Sequence, residues 1–510
     1  MVVRIHSVAF EGVEALPVEV QVHIGAGLPA FTIVGLPDKT VAESRERVRA
    51  AIQSMGIAIP AKKILINLAP ADILKEGSHF DVPIALGLLT ALNMLPEDAM
   101  GNYLAMGELA LDGQLLPVAG VLPAALAASA QNRGIICPEQ NGAEAAFGGE
   151  HIEVLAPSSL LALINHVKGQ QVLNPPTASM VAAAFRGPDM SEVRGQEIAK
   201  RALEIAAAGA HNLLMIGPPG AGKSMLASCL PNILPPMSPE EMLEVNLVAS
   251  VAGNLMKGSF SNTRPFRDPH HSSSMAAMVG GGRRALPGEI SLSHQGVLFL
   301  DELPEYPRGV LESLRQPLET GTVSIARAEA HITYPARFQL IAAMNPCRCG
   351  YLDDVSRACS KAPRCASDYQ SKLSGPLLDR IDMHVEVPAV ETLSMLTPAT
   401  AEPSSAVAAR VANARNIQQA RFASLGVKAR TNAEAGGDIL QQITQLDAAA
   451  QKLLEDATKR LNLSMRGLTR VLRVARTIAD LAGATQVGHT HLAEALSYRQ
   501  QPQGRWLEAA

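Results

Sequence analysis

Apolar and polar residues alternate in two stretches near the start of the chain, residues 18–24 and residues 63–68. Strict alternation is typical of a half-buried β-strand, so both stretches are predicted strands. Residues 40–55 instead carry apolar side chains on a helical period, and residues 122–130 are rich in alanine. This mixture of strands and helices predicts an α/β domain over residues 1–170.

A segment rich in proline and turn residues follows at 171–188 and predicts a linker. Beyond it, a helical period over residues 198–208 leads into the wholly apolar run 213–216, which predicts a helix followed by a buried strand. We therefore predict a second α/β domain with a parallel sheet over residues 189–397. After a further break, the pattern is almost wholly helical and predicts a helical C-terminal domain over residues 406–510.

The residues directly after the apolar run 213–216 match the pattern G-x-x-x-x-G-K-[ST]. In this pattern, backbone N–H groups surround phosphate at a helix N-terminus, the lysine offsets phosphate charge and the hydroxyl ligates Mg²⁺. The strand before it and the helix after it make the motif specific. The predicted nucleotide-binding residues are Gly217, Pro218, Pro219, Gly220, Ala221, Gly222, Lys223 and Ser224.

Two further apolar strands end in residues suited to ATP hydrolysis. Residues 297–300 run into Asp301, a predicted Mg²⁺ ligand, and Glu302, a predicted general base for the attacking water. Residues 338–344 run into Asn345, whose amide can hold the water or the γ-phosphate. An acidic pair at a strand end is weak evidence alone, and the upstream phosphate-binding motif strengthens it.

Two arginines complete the predicted catalytic set. Arg380 is suited to reach the γ-phosphate of a neighbouring subunit, although it could equally pair with Asp379 or Asp382. Arg466 shares a helix face with Arg470 and is our candidate for a second nucleotide sensor, the alternative being a solvated basic face.

Charge and hydropathy restrict the partners and the compartment. A net charge of -4 and a pI of about 6.4 leave no overall basic surface, so any nucleic-acid contact must come from a local patch or from a pore formed on assembly. The longest apolar stretch, residues 82–95, is shorter than the ~20 residues that cross a bilayer, and the N-terminus does not resemble a secretory signal. We expect a cytoplasmic protein without a membrane segment.

Four cysteines crowd one short segment: Cys347, Cys349, Cys359 and Cys365. In a reducing compartment, such clustering favours a metal or free thiols over disulfides. Zn²⁺ prefers sulfur ligands in a tetrahedral arrangement, although the spacing here departs from paired C-x₂-C knuckles. We predict a structural zinc site, with ordinary reduced thiols as the alternative.

The chain resembles the ATPase subunit of magnesium chelatase and, more closely, the ComM/YifB family. The resemblance covers essentially the whole chain and rests on residues 264–272, 280–282, 287–292 and 298–305. It implies a Lon-protease-like N-terminal domain, an AAA+ ATPase module and a helical lid. It also implies a hexameric ring that hydrolyses ATP with Mg²⁺ and drives DNA branch migration in natural transformation and homologous recombination.

The N-terminal domain resembles Lon around residues 75–81 and 107–118, yet the catalytic pair is missing. His79 stands where Lon carries its nucleophilic serine, and Leu122 stands where Lon carries its lysine. Ser78, one place away, has no such base to activate it, so we expect no peptidase activity.

Three arginines are candidates for DNA contact. Residues 322–333 predict two short strands with a tip near Arg327, a hairpin that in related ring helicases faces the pore. Arg283 and Arg284 follow a triple glycine and can contact phosphates without reading bases. A solvated turn explains each of these arginines equally well. The adjacent His270 and His271 lack nearby metal-ligating partners in sequence and are interpreted as structural.

Three other functions remain open at this stage. A chelatase-type remodeller of a protein partner for metal insertion is opposed by the fused Lon-like domain, and a Lon-like peptidase by the missing catalytic residues. A non-catalytic nucleotide-binding scaffold is opposed because every position needed for hydrolysis is filled.

Overall fold

The computed structural model describes residues 2–149, 151–180, 187–255, 259–282, 285–326, 331–352, 364–389, 402–460 and 463–499. Within these residues the chain forms a mixed α/β N-terminal domain, a second α/β domain around a parallel sheet, and a C-terminal group of helices. The predicted fold class is confirmed.

The N-terminal domain is built on a mixed sheet. Its strands are β1 (Val2–Glu11), β2 (Glu14–Gly25), β3 (Ala30–Val34), β4 (Lys63–Ala69), β5 (Tyr103–Ala105), β6 (Glu108–Leu109), β7 (Leu115–Leu116), β8 (Gly134–Ile136) and β9 (Val154–Leu155). Seven of them form one sheet in the order β3-β4-β2-β1-β5-β8-β9, and β6 pairs separately with β7. The two alternating stretches of the sequence lie in β2 and β4, where alternate side chains are buried.

Helices cover this sheet. They are α1 (Lys39–Ser54), α2 (Asp81–Ala91), α3 (Glu97–Met100), α4 (Val121–Ala130), α5 (Gly142–Ala146) and α6 (Leu160–Val167). The longest apolar stretch of the sequence forms most of α2, whose residues are buried almost throughout. Its first residue, Asp81, is also buried and accepts two hydrogen bonds from Arg47, at 2.6 and 2.9 Å.

The segment predicted as a linker contributes strand β10 (Ser179–Met180). The second domain then follows with α7 (Glu197–Gly209), β11 (Leu213–Ile216), α8 (Lys223–Cys229), α9 (Pro239–Val251), β12 (Ser259–Phe260), β13 (Phe266–Arg267), α10 (Met275–Val279), β14 (Gly280–Gly281), β15 (Leu286–Pro287), α11 (Glu289–Leu292), β16 (Val297–Leu300), α12 (Arg308–Ser313), α13 (Arg315–Thr320), β17 (Thr322–Ala326), β18 (His331–Pro335), β19 (Gln339–Met344), α14 (Arg364–Gln370), α15 (Gly375–Leu378) and β20 (Met383–Glu386).

Five of these strands form a parallel sheet in the order β13-β16-β19-β11-β20. All three of β11, β16 and β19 are buried at every position, and their residues are apolar except for Gln339 at the start of β19, so they fit the centre of a sheet that helices cover on both faces. Strand β19 lies between β11 and β16. The residues that follow these three strands therefore meet at one edge of the sheet.

The N-terminal domain packs on the second domain through α4, α5 and α9. The ring of Phe147 stacks on that of Phe260 with centroids 4.0 Å apart. Leu122 donates its backbone N–H to Glu144 (3.1 Å) and to the hydroxyl of Ser250 (3.3 Å), which in turn donates to Glu144. Burial raises the pKa of the Glu144 carboxyl.

The C-terminal helices are α16 (Ser404–Ser424), α17 (Gly437–Ile443), α18 (Ala448–Arg460), α19 (Met465–Leu481) and α20 (His489–Ser497). A fully buried carboxylate, Asp480, joins three of their segments: it pairs with Arg476 and Arg421 and accepts from Asn432. This helical group shares its hydrophobic core with the second domain through α7.

His211, two residues after the end of α7, is buried against the helical group and contacts the hydroxyl of Thr477 at 2.8 Å. Burial lowers the pKa of its imidazole to about 4.

Candidate nucleotide-hydrolysis site

The phosphate-binding motif forms the turn between β11 and α8. Gly220 and Gly222 have φ values of +76° and +88°, a backbone conformation that residues with a Cβ rarely adopt. A Cβ at either position would meet no atom within 4 Å, so the turn is open on that side. An open turn that leads into the start of α8 is the arrangement that the predicted phosphate-binding residues require.

Lys223 is buried at the first position of α8. Its Nζ donates to the carbonyls of Gly217 (2.7 Å) and Pro218 (2.9 Å) and to Oδ1 of Asn345 (3.1 Å). Burial lowers the pKa of the ammonium, while Asp301 and Glu302 oppose that shift. Three oxygens hold the lysine, and two of them belong to the phosphate-binding turn itself.

A hydroxyl and a carboxylate meet beside this lysine. The Oγ of Ser224 donates to Oδ2 of Asp301 across 2.5 Å, although the two residues come from different strand ends. Oxygen ligands of this kind are those that Mg²⁺ prefers in proteins. The donor set fits the magnesium ion predicted for these residues.

Glu302 follows in a left-handed conformation, with φ at +50°. Its backbone N–H donates to Oδ1 of Asp301 at 2.8 Å, and its carboxylate is half-exposed. The imidazole Nδ1 of His271 lies 3.4 Å from Oε2 of Glu302. The carboxylate predicted to act as general base thus has a neighbour that the sequence analysis interpreted as merely structural.

Asp268 is a second residue that the sequence analysis missed. It follows β13, the neighbour of β16, and burial and then the charge of Asp301 raise the pKa of its carboxyl. Asp268 and His271 could have been identified by their position, because both follow β13, the strand that pairs with β16, and Asp301 follows β16.

Asn345 follows β19 and lies between the other two strand ends because β19 separates β11 from β16. Its side chain accepts the hydrogen bond from Lys223 described above. The structure thus brings Lys223, Ser224, Asp301, Glu302 and Asn345 together at the carboxyl edge of the parallel sheet.

Arg380 lies at the opposite edge. It precedes β20, which runs parallel to β11, so a full strand separates it from its own phosphate-binding turn. The guanidinium is buried, donates to the carbonyl of Pro376 at 2.6 Å and pairs with Glu319. Neither alternative partner weighed from the sequence, Asp379 nor Asp382, is its ion-pair partner here.

Arg466 lies on the same side as Arg380. Its side chain is 67% exposed, and its guanidinium lies 4.0 Å from Oε1 of the same Glu319. Arg466 lines a cleft of about 780 Å³, and Arg380 contacts Glu319, which lines the same cleft. Arg470 and Arg473 extend the basic lining of this cleft. The structure does not bring Arg466 to the nucleotide site of its own chain.

The thiol segment lies next to the phosphate-binding turn. The sulfurs of Cys347, Cys349 and Cys365 are all within 4.8 Å of one another, and Cys359 lies outside the described residues. The DNA-contact candidates Arg283, Arg284 and Arg327 also lie outside the described residues.

The Lon-like segment offers no activated serine among the described residues. Ser78 donates its hydroxyl to Glu108, while His79 is buried with its Nε2 2.9 Å from the carbonyl of Val8. Lys75 is fully buried and donates to the carbonyl of Pro70, and Leu122 lies in the interface with the second domain.

None of the helices in the described parts of the chain has both the length and the apolar character needed to cross a bilayer.

A phosphate-binding turn, an acidic pair and an asparagine on three adjacent parallel strands define an AAA+ nucleotide-binding module, here of the magnesium-chelatase type. Family models match over most of the chain: magnesium chelatase, subunit ChlI, over residues 189–395, subunit ChlI of Mg-chelatase over residues 20–141, and the C-terminal region of subunit ChlI over residues 401–499. The chain therefore belongs to the magnesium chelatase ChlI family, for which ATP and Mg²⁺ are implied.

The full-length relatives are more specific. The chain is 45% identical to competence protein ComM of Haemophilus influenzae, with 97% of each chain covered. It is also 45% identical to the uncharacterized protein YifB of Salmonella typhimurium over 97% of this chain and 96% of the relative. The 38 kDa subunit of magnesium chelatase from Rhodobacter capsulatus is 25% identical over 61% of this chain and 87% of that subunit. The resemblance to the ComM/YifB group is confirmed.

Proposed function

We propose that this protein is an ATP-hydrolysing ring motor that acts on DNA. The observation that carries the ATPase part is one bonded group at the edge of the sheet. Lys223 bonds to Asn345 at 3.1 Å, and Ser224 bonds to Asp301 at 2.5 Å, so residues from three strand ends face one position.

Each residue has a distinct task in this proposal. Lys223 contacts the β- and γ-phosphates of ATP, and the N–H groups at the start of α8 hold the remaining phosphate oxygens. Ser224 and Asp301 would hold Mg²⁺, which would neutralise charge on the phosphates. Glu302 accepts a proton from the attacking water, and Asn345 orients that water. The hydrogen bonds of Lys223 to Asn345 and of Ser224 to Asp301 keep the lysine and the acidic pair in place.

The other edge of the sheet carries the two arginines whose proposed roles require a neighbouring subunit. Arg380 and Arg466 share Glu319 on the side away from their own phosphate-binding turn. In a head-to-tail ring, that side of one subunit faces the nucleotide of the next. Arg380 stabilises the charge that develops on the γ-phosphate there, and Arg466 acts as the second sensor on the same nucleotide.

The DNA part of the proposal rests on the resemblance to ComM-type proteins. It assigns the motor to branch migration in natural transformation and homologous recombination, with DNA in the pore of a cytoplasmic hexamer. Arg283, Arg284 and Arg327 are the phosphate-contact candidates, since six copies of each would make the channel positive.

The test is the ATPase rate with and without single-stranded or branched DNA. We expect stimulation by DNA in the wild type and loss of turnover in Lys223→Ala and Glu302→Gln, while Lys452→Ala, an exposed change in α18, retains both. Each phosphate contact should add about one unit to the slope of log affinity against log salt concentration.

Absence of any DNA effect on turnover, oligomer size or branch movement would refute the DNA motor. The chelatase-type remodeller of a protein partner would then be the better account. Ser78→Ala should leave every one of these activities unchanged, because Ser78 is tied to Glu108 rather than to a base lysine.

A further inference from the structure

Three cysteine sulfurs form a cluster that the nucleotide chemistry does not use. Cys347 is buried, Cys365 is partly buried and Cys349 is exposed, and the three sulfurs lie within 4.8 Å of one another. Cys347 and Cys349 come from the turn that follows Asn345, whereas Cys365 comes from the first turn of α14. Two separate segments thus present soft ligands to one point.

The spacing of the sulfurs suits a thiophilic divalent ion. At a Zn–S distance of about 2.3 Å, tetrahedral geometry separates two sulfurs by about 3.8 Å. The Cys347 and Cys349 sulfurs lie 3.1 Å apart, and the third is within 4.8 Å of both. A shift of less than about 1 Å per sulfur would reach the zinc geometry. Three thiolates leave one position of the tetrahedron to a further donor.

Hydrogen bonds already hold both segments near this geometry. The side-chain amide of Gln370, on α14, donates to the carbonyl of Pro346 at 2.8 Å and is buried there. The N–H of Gly350 donates to the carbonyl of Cys347 at 2.9 Å, closing the turn that carries two of the sulfurs. Such supporting contacts orient the ligands of metal sites.

The same turn packs against the phosphate-binding residues. A Cβ placed on Gly350 would lie 2.3 Å from Cδ of Pro219, which shows how closely the two backbones approach. Asn345, the acceptor for Lys223, is two residues before Cys347. Displacing the turn at residues 347–350 would therefore move both Pro219 and Asn345.

We propose that Cys347, Cys349 and Cys365 bind a zinc ion that holds the turn after Asn345 against the phosphate-binding turn and thereby sets the affinity for nucleotide. The proposal rests on the nucleotide site of the proposed function and is independent of the role of DNA. Helix α14 is followed in the chain by the segment that contains Arg380. The same ion therefore links the turn beside the phosphate-binding residues to the segment that carries this arginine at the other edge of the sheet.

Elemental analysis of the purified full-length protein tests the site directly. We expect about one zinc per chain in the wild type and in Cys137→Ala, a buried cysteine of the N-terminal domain. We expect less than about half an equivalent in Cys347→Ser and in Cys365→Ser. Less than half an equivalent in the wild type, or loss of two titratable thiols to a Cys347–Cys349 disulfide, would overturn the proposal.

The affinity for a fluorescent ADP analogue, measured at equilibrium without turnover, tests the coupling to the phosphate-binding turn. Removing zinc from the wild type with a chelator should weaken this binding about tenfold, and adding zinc back should restore it. Restoration by zinc in one preparation separates metal loss from misfolding of a variant.

Unchanged nucleotide affinity after zinc removal would overturn the coupling. Failure of DNA to stimulate a zinc-loaded protein that binds nucleotide would instead refute only the DNA motor.

Discussion

Exchanging Arg380 for alanine should abolish most of the ATPase activity while leaving nucleotide binding in place. Arg380 precedes β20 and the phosphate-binding turn follows β11, so the two lie at opposite edges of a sheet whose strands here span about 10 Å. That distance exceeds the reach of an arginine side chain. An arginine supplied by a neighbour contributes about 10³-fold or more to turnover, and we expect a loss of that order.

The structural cost of this change is small by comparison. The partners lost are Glu319, whose side chain is 47% exposed, and the carbonyl of Pro376, and the ion pair and the hydrogen bond contribute about 1 kcal/mol each. The backbone carbonyl of Arg380, which accepts from Arg470 and Asn212, is unaffected by the substitution. A melting temperature lowered by only a few degrees should therefore accompany the loss of turnover. Glu319→Gln, which frees the guanidinium without removing it, should retain activity.

Mixed rings provide the decisive assay. In an equal mixture of Arg380→Ala and Glu302→Gln subunits, about one quarter of the head-to-tail interfaces combine an intact Glu302 with an intact Arg380. Two nearly inactive proteins should then recover about a quarter of the wild-type rate. A mixture no more active than its parents, or an Arg380→Ala protein within about threefold of wild type, would show that Arg380 serves only the fold.

Three further predictions concern stability and the contacts between domains. Asp480→Ala leaves the buried Arg476 and the partly buried Arg421 without their carboxylate and should cost about 3–5 kcal/mol, lowering the melting temperature of the unit formed by the helical group and the second domain by about 10 °C in calorimetry. Phe260→Ala removes the stacking partner of Phe147 and should cost about 3–5 kcal/mol, with faster hydrogen exchange in α4 and α9. Below pH 6.5 the unfolded His211 gains a proton that the folded protein takes up only near pH 4, so stability should fall across that window by up to about 3 kcal/mol, as followed by thermal melts.

Each of these predictions has a matched control on the same chain. Glu455→Ala, an exposed change in α18, should leave the melting temperature unchanged. Phe422→Ala empties a buried site in the helical group and should not speed exchange in α4. His489→Gln, at an exposed position, should keep the wild-type decline in stability on acidification, whereas His211→Gln should reduce it. Equal behaviour of variant and control would refute the corresponding assignment.

Much of the site could be predicted from the sequence because its parts are local. Residues 217–224 and the pair Asp301 and Glu302 directly follow apolar runs, and a run of this kind reports a buried strand regardless of the fold around it. The same logic identified Asn345 after β19. Periodicity likewise identified β2, β4 and α1, whose side chains alternate between core and solvent on a regular spacing.

The tertiary structure decided which of these parts meet. The order β13-β16-β19-β11-β20 places Asn345 between two other strand ends and brings His271 to Glu302, and no local pattern contains that order. The tertiary structure also brings the guanidinium groups of Arg380 and Arg466 to the same carboxylate, that of Glu319, at the opposite edge of the sheet.

The packing of the turn at residues 347–350 against Pro219 could not be predicted from the sequence alone, and neither could the interface around Leu122. A periodic pattern shows that a side chain is buried but does not name the surface that buries it. That choice is made by contacts between residues far apart in the chain, which form only when the sheet and its helices pack.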